Sequence, residues 1–156
     1  MSVIAAGTPA PEFKLRKADG EDFTRDNLLG QTTILVFYPF AFSPVCTDQL
    51  QIYEEAIADI RAGGAEMYGV SVDSPFAQAA FKEHLGVSIA QLSDFPSGEA
   101  SKAFGAYFEP GKMSNRCIVI VGPDGVVQWS HEAASPAELP GINLIIDALG
   151  ALGATA

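Results

Sequence analysis

The chain reads as an α/β fold: a central mixed β-sheet flanked by helices on both faces, with a β-hairpin at its N-terminal end. Three observations carry that expectation. The run "TTILVFY" (32–38) is continuously apolar and β-branched, the mark of a strand covered on both faces. Strand-like and helix-like periods then alternate over residues 32–86, which predicts parallel strands joined by right-handed crossovers. Finally, "RCIVIV" and "VVQW" flank the turn "GPDG" over residues 116–129, an antiparallel hairpin that makes the sheet mixed.

Each element follows from its residues. "FKLRKADGEDFTR" alternates around Asp19-Gly20, a dipeptide that tolerates the positive φ of tight turns, so residues 12–24 form a small antiparallel ribbon capping one sheet edge. The central strand over 32–38 leads into a helix from Cys46 to Arg61. Its apolar stripe is Leu50, Ile52, Tyr53, Ile57 and Ile60, and Gly63-Gly64 stops it. "EMYGVSV" (66–72) is the next strand. Asp73 or Ser74 then caps a helix that opens with Pro75 and ends near Gly86. After the hairpin comes a last helix with Leu139, Ile142, Ile145, Ile146 and Leu149 as its buried stripe. No repeat, low-complexity tract or linker divides the chain, so residues 1–156 are expected to form a single domain.

Composition narrows the function classes. An apolar fraction of 48% against 18% charged residues belongs to a folded domain. Nine basic and nineteen acidic residues give a net charge of −10, which disfavours nucleic acid and anionic membrane surfaces as partners. The start "MSVIAAGTPAPEF" has no basic region of the secretory kind, and no apolar run is long enough to span a bilayer. A soluble, cytoplasmic protein is the expectation. Two cysteines do not make a disulfide framework, which leaves catalysis, redox sensing or packing. His84 and His131 lack ligand-spaced partners, and no metal or organic cofactor is expected.

Cys46 falls where a strand's carboxyl end meets a helix start, the edge at which open α/β sheets bind ligands. Unpaired N–H groups and the helix dipole there favour a thiolate. Ionisation alone raises the reactive fraction by at most about thirtyfold, and nucleophilicity declines as basicity falls. Fixed donors aimed at the electrophile must supply the rest. Arg116, which opens a core strand after the turn-like "PGKMSN", and Ser43 are the candidates. Ser43 before Pro44 is also a good N-cap, so capping competes with ligand binding for its hydroxyl. Pro39 and Pro44 stiffen the loop, with Pro39 placed to keep water off the sulfur. Cys117 follows Arg116 on the strand and faces the other way. Asp48 in the first helical turn is expected to face solvent.

With a proline, three residues, a serine, two residues and then a cysteine at Pro39, Ser43 and Cys46, and with a distant arginine at Arg116, the chain resembles the peroxiredoxins. The likeness is to their one-cysteine bacterial branch, of the alkyl hydroperoxide reductase E and bacterioferritin-comigratory type. It continues through "GTPAPEFKL", "VSVDSPFAQAAFKEHLG", "LSDF" and "CIVIVGPDGVV". It implies a thioredoxin-like fold and a thiol-dependent peroxidase in which Cys46 attacks peroxide and becomes a sulfenic acid. It also implies a homodimer, with the Phe40 and Phe42 region as dimer interface or hydrophobic collar. Ser43 replaces the commoner threonine, and Gln49 stands where many relatives have glutamate. Position 51, where internally resolving relatives often carry a second cysteine, is glutamine. An external thiol, either a thioredoxin-like protein or a small thiol, is therefore expected to complete the cycle. A thioredoxin-like disulfide exchanger and a non-enzymatic redox sensor or holdase are the rival readings. The first needs a paired thiol that "CTDQ" does not offer.

Overall fold

The computed structural model describes residues 2–153. Near its N-terminal end, β1 (Lys14–Arg16) and β2 (Asp22–Thr24) pair antiparallel with Leu15 opposite Phe23. Gly20 in the connecting turn has φ +88°, a conformation few side chains tolerate. As expected, this ribbon caps a sheet edge.

Next come β3 (Thr32–Phe37), α1 (Pro44–Glu55), α2 (Ile57–Ala62), β4 (Ala65–Ser71), α3 (Pro75–Leu85) and β5 (Ala90–Ser93). The three strands run parallel. Behind them lie α4 (Glu99–Ala103), the small pair β6 (Tyr107–Phe108) and β7 (Met113–Ser114), the hairpin β8 (Cys117–Val121) with β9 (Val127–Glu132), and α5 (Ile142–Ala151). The main sheet has the order β2-β1-β5-β4-β3-β8-β9, with β8 antiparallel to β3.

Three expectations need correction. Leu139 precedes the last helix, which starts at Ile142, and so is not part of its stripe. The single helix over 46–61 is two helices, broken at Ala56 (φ −102°, ψ −1°), and the first begins at Pro44. Ile52 is not part of the stripe: Leu50, Tyr53, Ile57 and Ile60 are buried, whereas Ile52 is 37% exposed. Its two-residue step from Leu50 turns it off their shared face. The choice of cap also resolves, because Ser74 Oγ accepts from the Ala77 N–H at 3.2 Å. The short elements β5, α4, β6 and β7 carried no sequence signal, since two to five residues of mixed polarity show no period.

The sheet divides the core in two. Ile34, Val36 and Tyr38 pack with Cys46, Leu50, Tyr53, Ile118, Ile145 and Leu149 on one side. Leu35, Phe37, Val70, Phe104, Cys117 and Val119 pack on the other. Strand alternation thus assigns Cys46 and Cys117 to opposite layers.

Gly69 on β4 faces the Gln91 amide, which accepts from the Tyr38 hydroxyl at 2.7 Å and donates to the Ile89 carbonyl at 3.0 Å. A Cβ at position 69 would lie 2.8 Å from Gln91 Nε2. Gly69→Ala is expected to lower unfolding stability by about 1–3 kcal/mol in urea titrations, because it must break these buried bonds.

Burial, reinforced by the Glu132 carboxylate, pushes the Cys117 thiol from 9.0 up to about 12. The unfolded chain releases this proton between those values while the folded chain holds it, so stability falls as pH rises through the window. Cys117→Ala is expected to flatten the loss between about pH 9 and pH 11 by up to about 1.4 kcal/mol per pH unit, read from urea midpoints against the parent chain.

Candidate active site

After β3, the chain crosses the sheet's carboxyl edge in a loop, 39–43, and turns into α1. Pro39 in this loop is buried. Phe42 holds a left-handed φ of +70°, uncommon for an aromatic residue. Its ring packs on Phe81 at 5.1 Å and on His84 at 5.8 Å between centroids. A carboxylate clamps the turn from the next strand. Asp73 Oδ2 accepts from the Ala41 N–H and from the Ser71 hydroxyl, each at 2.7 Å, and Gln78 Nε2 donates to that same hydroxyl at 2.9 Å.

Ser43 is the N-cap of α1, with extended backbone (φ −69°, ψ 149°) and Pro44 in the first turn. Its side chain makes no capping hydrogen bond. The hydroxyl is therefore not spent on the helix. One turn later, Cys46 is wholly buried, while Asp48 faces solvent as expected.

Arg116, immediately before β8, brings its guanidinium to the sulfur: Nη2 donates to Cys46 Sγ at 3.4 Å. Nη1 donates to Gln49 Oε1 at 2.6 Å and Nε to the Pro136 carbonyl at 2.8 Å. The arginine is 2% exposed. Among the described residues the ion pairs are Arg25–Glu12, Arg61–Glu66 and Lys112–Glu109, all on exposed or half-exposed side chains and none involving Arg116. Its protein partners are thus two neutral oxygens and one sulfur.

Of the four residues singled out in the sequence, these contacts join Cys46 directly to Arg116, while Ser43 and Pro39 occupy the loop that delivers the helix. Four further residues escaped the sequence reading as parts of the site. Asp73 clamps the loop. Gln49 holds the guanidinium and donates through Nε2 to the Tyr53 hydroxyl at 3.1 Å, which in turn donates to the Pro140 carbonyl at 2.6 Å. Burial pushes the Tyr53 phenol from 10.0 up to about 12, so it keeps its proton for that bond. Burial likewise raises the Tyr38 phenol well above its ordinary value. A polar Gln49 and a hydroxyl-bearing Tyr53 at three and seven residues past Cys46 were the available signal, since that spacing lines one helix face.

The structure thus sets a buried thiol at a helix start against a guanidinium whose other partners are neutral oxygens. The comparisons with known proteins agree in family. The AhpC/TSA family matches residues 6–130. Alkyl hydroperoxide reductase C of Amphibacillus xylanus is 33% identical over 136 residues, covering 82% of this chain and 71% of that protein. Alkyl hydroperoxide reductase E of Mycobacterium tuberculosis is 29% identical over 154 residues, covering 97% of this chain and all of that protein. The crystal structure of Enterococcus faecalis AhpC superposes with a TM-score of 0.87 at 24% identity, over 98% of this chain and 93% of that one, a likeness of fold. From residue 6 to residue 130 and through its thioredoxin-like architecture, the chain belongs to the AhpC/TSA family, the peroxiredoxins.

Proposed function

We propose that the chain is a thiol-dependent peroxidase that reduces hydrogen peroxide and organic hydroperoxides at Cys46. The observation that carries this reading is the 3.4 Å contact between the buried Arg116 guanidinium and Cys46 Sγ, with no carboxylate to draw the arginine away. The thiolate attacks the terminal peroxide oxygen. An S–O bond forms, the O–O bond breaks, and the leaving oxygen takes a proton to depart as water or alcohol. Sulfur loses two electrons and becomes a sulfenic acid. Arg116 stabilises the charge that moves from sulfur to the leaving oxygen, Ser43 offers a hydroxyl to the bound peroxide, and Pro39 shields the sulfur.

Two external thiols complete the cycle: the first condenses with the sulfenic acid and releases water, and the second displaces a disulfide and restores the thiolate. Cys117 is buried in the opposite core layer, which supports an outside donor, a thioredoxin-like protein or a small thiol. The same face disfavours a disulfide exchanger, since Cys46 has no partner thiol there. A reducing compartment such as the cytoplasm suits this chemistry. Among the described residues no helix is long and apolar enough to cross a membrane.

We further propose that a second copy covers the aromatic rim beyond the carboxyl ends of β3, β4 and β5. Phe40, Phe42, Phe76 and Phe95 there are 40%, 52%, 87% and 60% exposed.

One equivalent of hydrogen peroxide added to reduced protein is expected to place one oxygen on Cys46, trapped by a sulfenic acid reagent and located by mass spectrometry. Cys46→Ser should abolish peroxide consumption, and Arg116→Met should lower its second-order rate by about 10²–10³-fold. Rapid peroxide loss with Cys46 unmodified refutes the assignment. Phe76→Asp is expected to convert a dimer to a monomer in light scattering.

A further inference from the structure

We infer that Asn115 and Glu132 position Arg116 from the far side of the sheet, fixing the backbone that carries the guanidinium without placing a charge in the layer of the Cys46 sulfur. The inference rests on the roles proposed above for Cys46 and Arg116.

A guanidinium stands at the end of a long side chain, so a small shift at its root carries it off the sulfur. Arg116 lies just before β8 rather than within it. Its N–H donates to Asn115 Oδ1 at 2.9 Å, and its carbonyl accepts from the N–H of Ala133, the residue after β9, at 2.9 Å. Asn115 is anchored in turn. Its N–H donates to the Ala106 carbonyl at 2.6 Å and its Nδ2 to Glu132 Oε2 at 3.0 Å. Glu132 Oε1 accepts from the Val3 N–H at 3.2 Å, and the next carbonyl, that of Ile4, accepts from the Ser130 hydroxyl at 2.6 Å. The N-terminal segment and β9 therefore hold the arginine's root through one amide.

The pair has one workable orientation. A backbone N–H can only donate, so Asn115 must turn Oδ1 to Arg116. That leaves Nδ2 for Glu132, whose carboxylate accepts from this amide and from Val3 together. Asn115 is 8% exposed, so water hardly competes for these bonds.

The layers of the core separate the charges. Glu132 stands opposite Cys117 in the β8–β9 register, and Cys117 belongs to the layer away from Cys46. Cross-strand partners share a face, so the carboxylate lies behind the sheet. Asn115 carries its hold to Arg116 as a neutral link. The arginine's own side chain meets Gln49, Pro136 and Cys46 on the other side. A carboxylate thus steadies the backbone while the guanidinium's charge stays with the sulfur.

The bond pattern can be inverted with net charge unchanged. In Asn115→Asp two carboxylates face each other with no N–H between them. In Glu132→Gln one acceptor becomes an amide N–H, set against the Val3 N–H or against Nδ2 of Asn115. With both substitutions together every bond is remade: the carboxylate at 115 accepts from the Arg116 N–H and from the amide at 132, whose oxygen still accepts from Val3. The second-order rate of Cys46 oxidation by hydrogen peroxide is measured at neutral pH and well below each variant's Tm. Asn115→Asp should lower it on the order of tenfold and Glu132→Gln several-fold, and the double variant should recover it to within about twofold of the parent chain. A structural role alone would move Tm and leave these rates in place. Should Asn115→Asp fail to fold, Glu132→Gln against the double variant carries the same comparison. Parent-like rates in the single variants, or a double variant as slow as the slower single one, overturn the inference. Peroxide consumption surviving in Cys46→Ser would instead remove the underlying reading.

Discussion

Taking a guanidinium out of water costs several kcal/mol unless fixed acceptors or an opposite charge replace its hydration. Arg116 is 2% exposed and meets only neutral oxygens besides the sulfur of Cys46. The Pro136 carbonyl, the Gln49 amide and the Cys46 sulfur together replace hydration that the buried arginine loses. Two elements from distant parts of the chain, α1 and the approach to β8, must meet at this point for either to be satisfied.

The sheet supplies the rigidity that this meeting requires. β3 delivers the loop at its carboxyl end, and β4 sends Asp73 across to hold it by the Ala41 N–H. Ser71 and Gln78 hold Asp73 in turn, the latter reaching the Leu92 carbonyl on β5 at 2.8 Å. The loop is thus tied to two neighbouring strands and to the start of α3. Such ties let Phe42 keep a backbone conformation that would relax in an unrestrained loop.

Where periodicity was long and consistent, the sequence was readable. The β3 run, the Gly20 turn, the hairpin at 116–129 and the last helix all follow from patterns of five residues or more. The short β5, α4, β6 and β7 are held by neighbours and carry no pattern of their own. The break at Ala56 is equally silent, since an alanine is at home inside a helix. At the site, strand alternation separated Cys117 from Arg116's face, and Arg116 stood out as a donor for Cys46 because it opens a core strand, a choice the family resemblance then reinforced. Gln49 stood out only as a departure from that family: its step to Tyr53 follows a helix face, but no local rule connects either residue to Arg116 or Pro140. Asp73 reads locally as a capping residue, yet it serves a loop thirty-two positions upstream.

The two-layer core also governs supply and demand. With its second thiol walled off behind the sheet, the chain cannot join Cys46 to Cys117 while its core stays packed. Under the proposed chemistry, a chain without a donor is a stoichiometric titrant, spent by its first encounter with peroxide. On the mechanism proposed here, the supply of outside thiol then governs how much oxidant a given quantity of protein can clear.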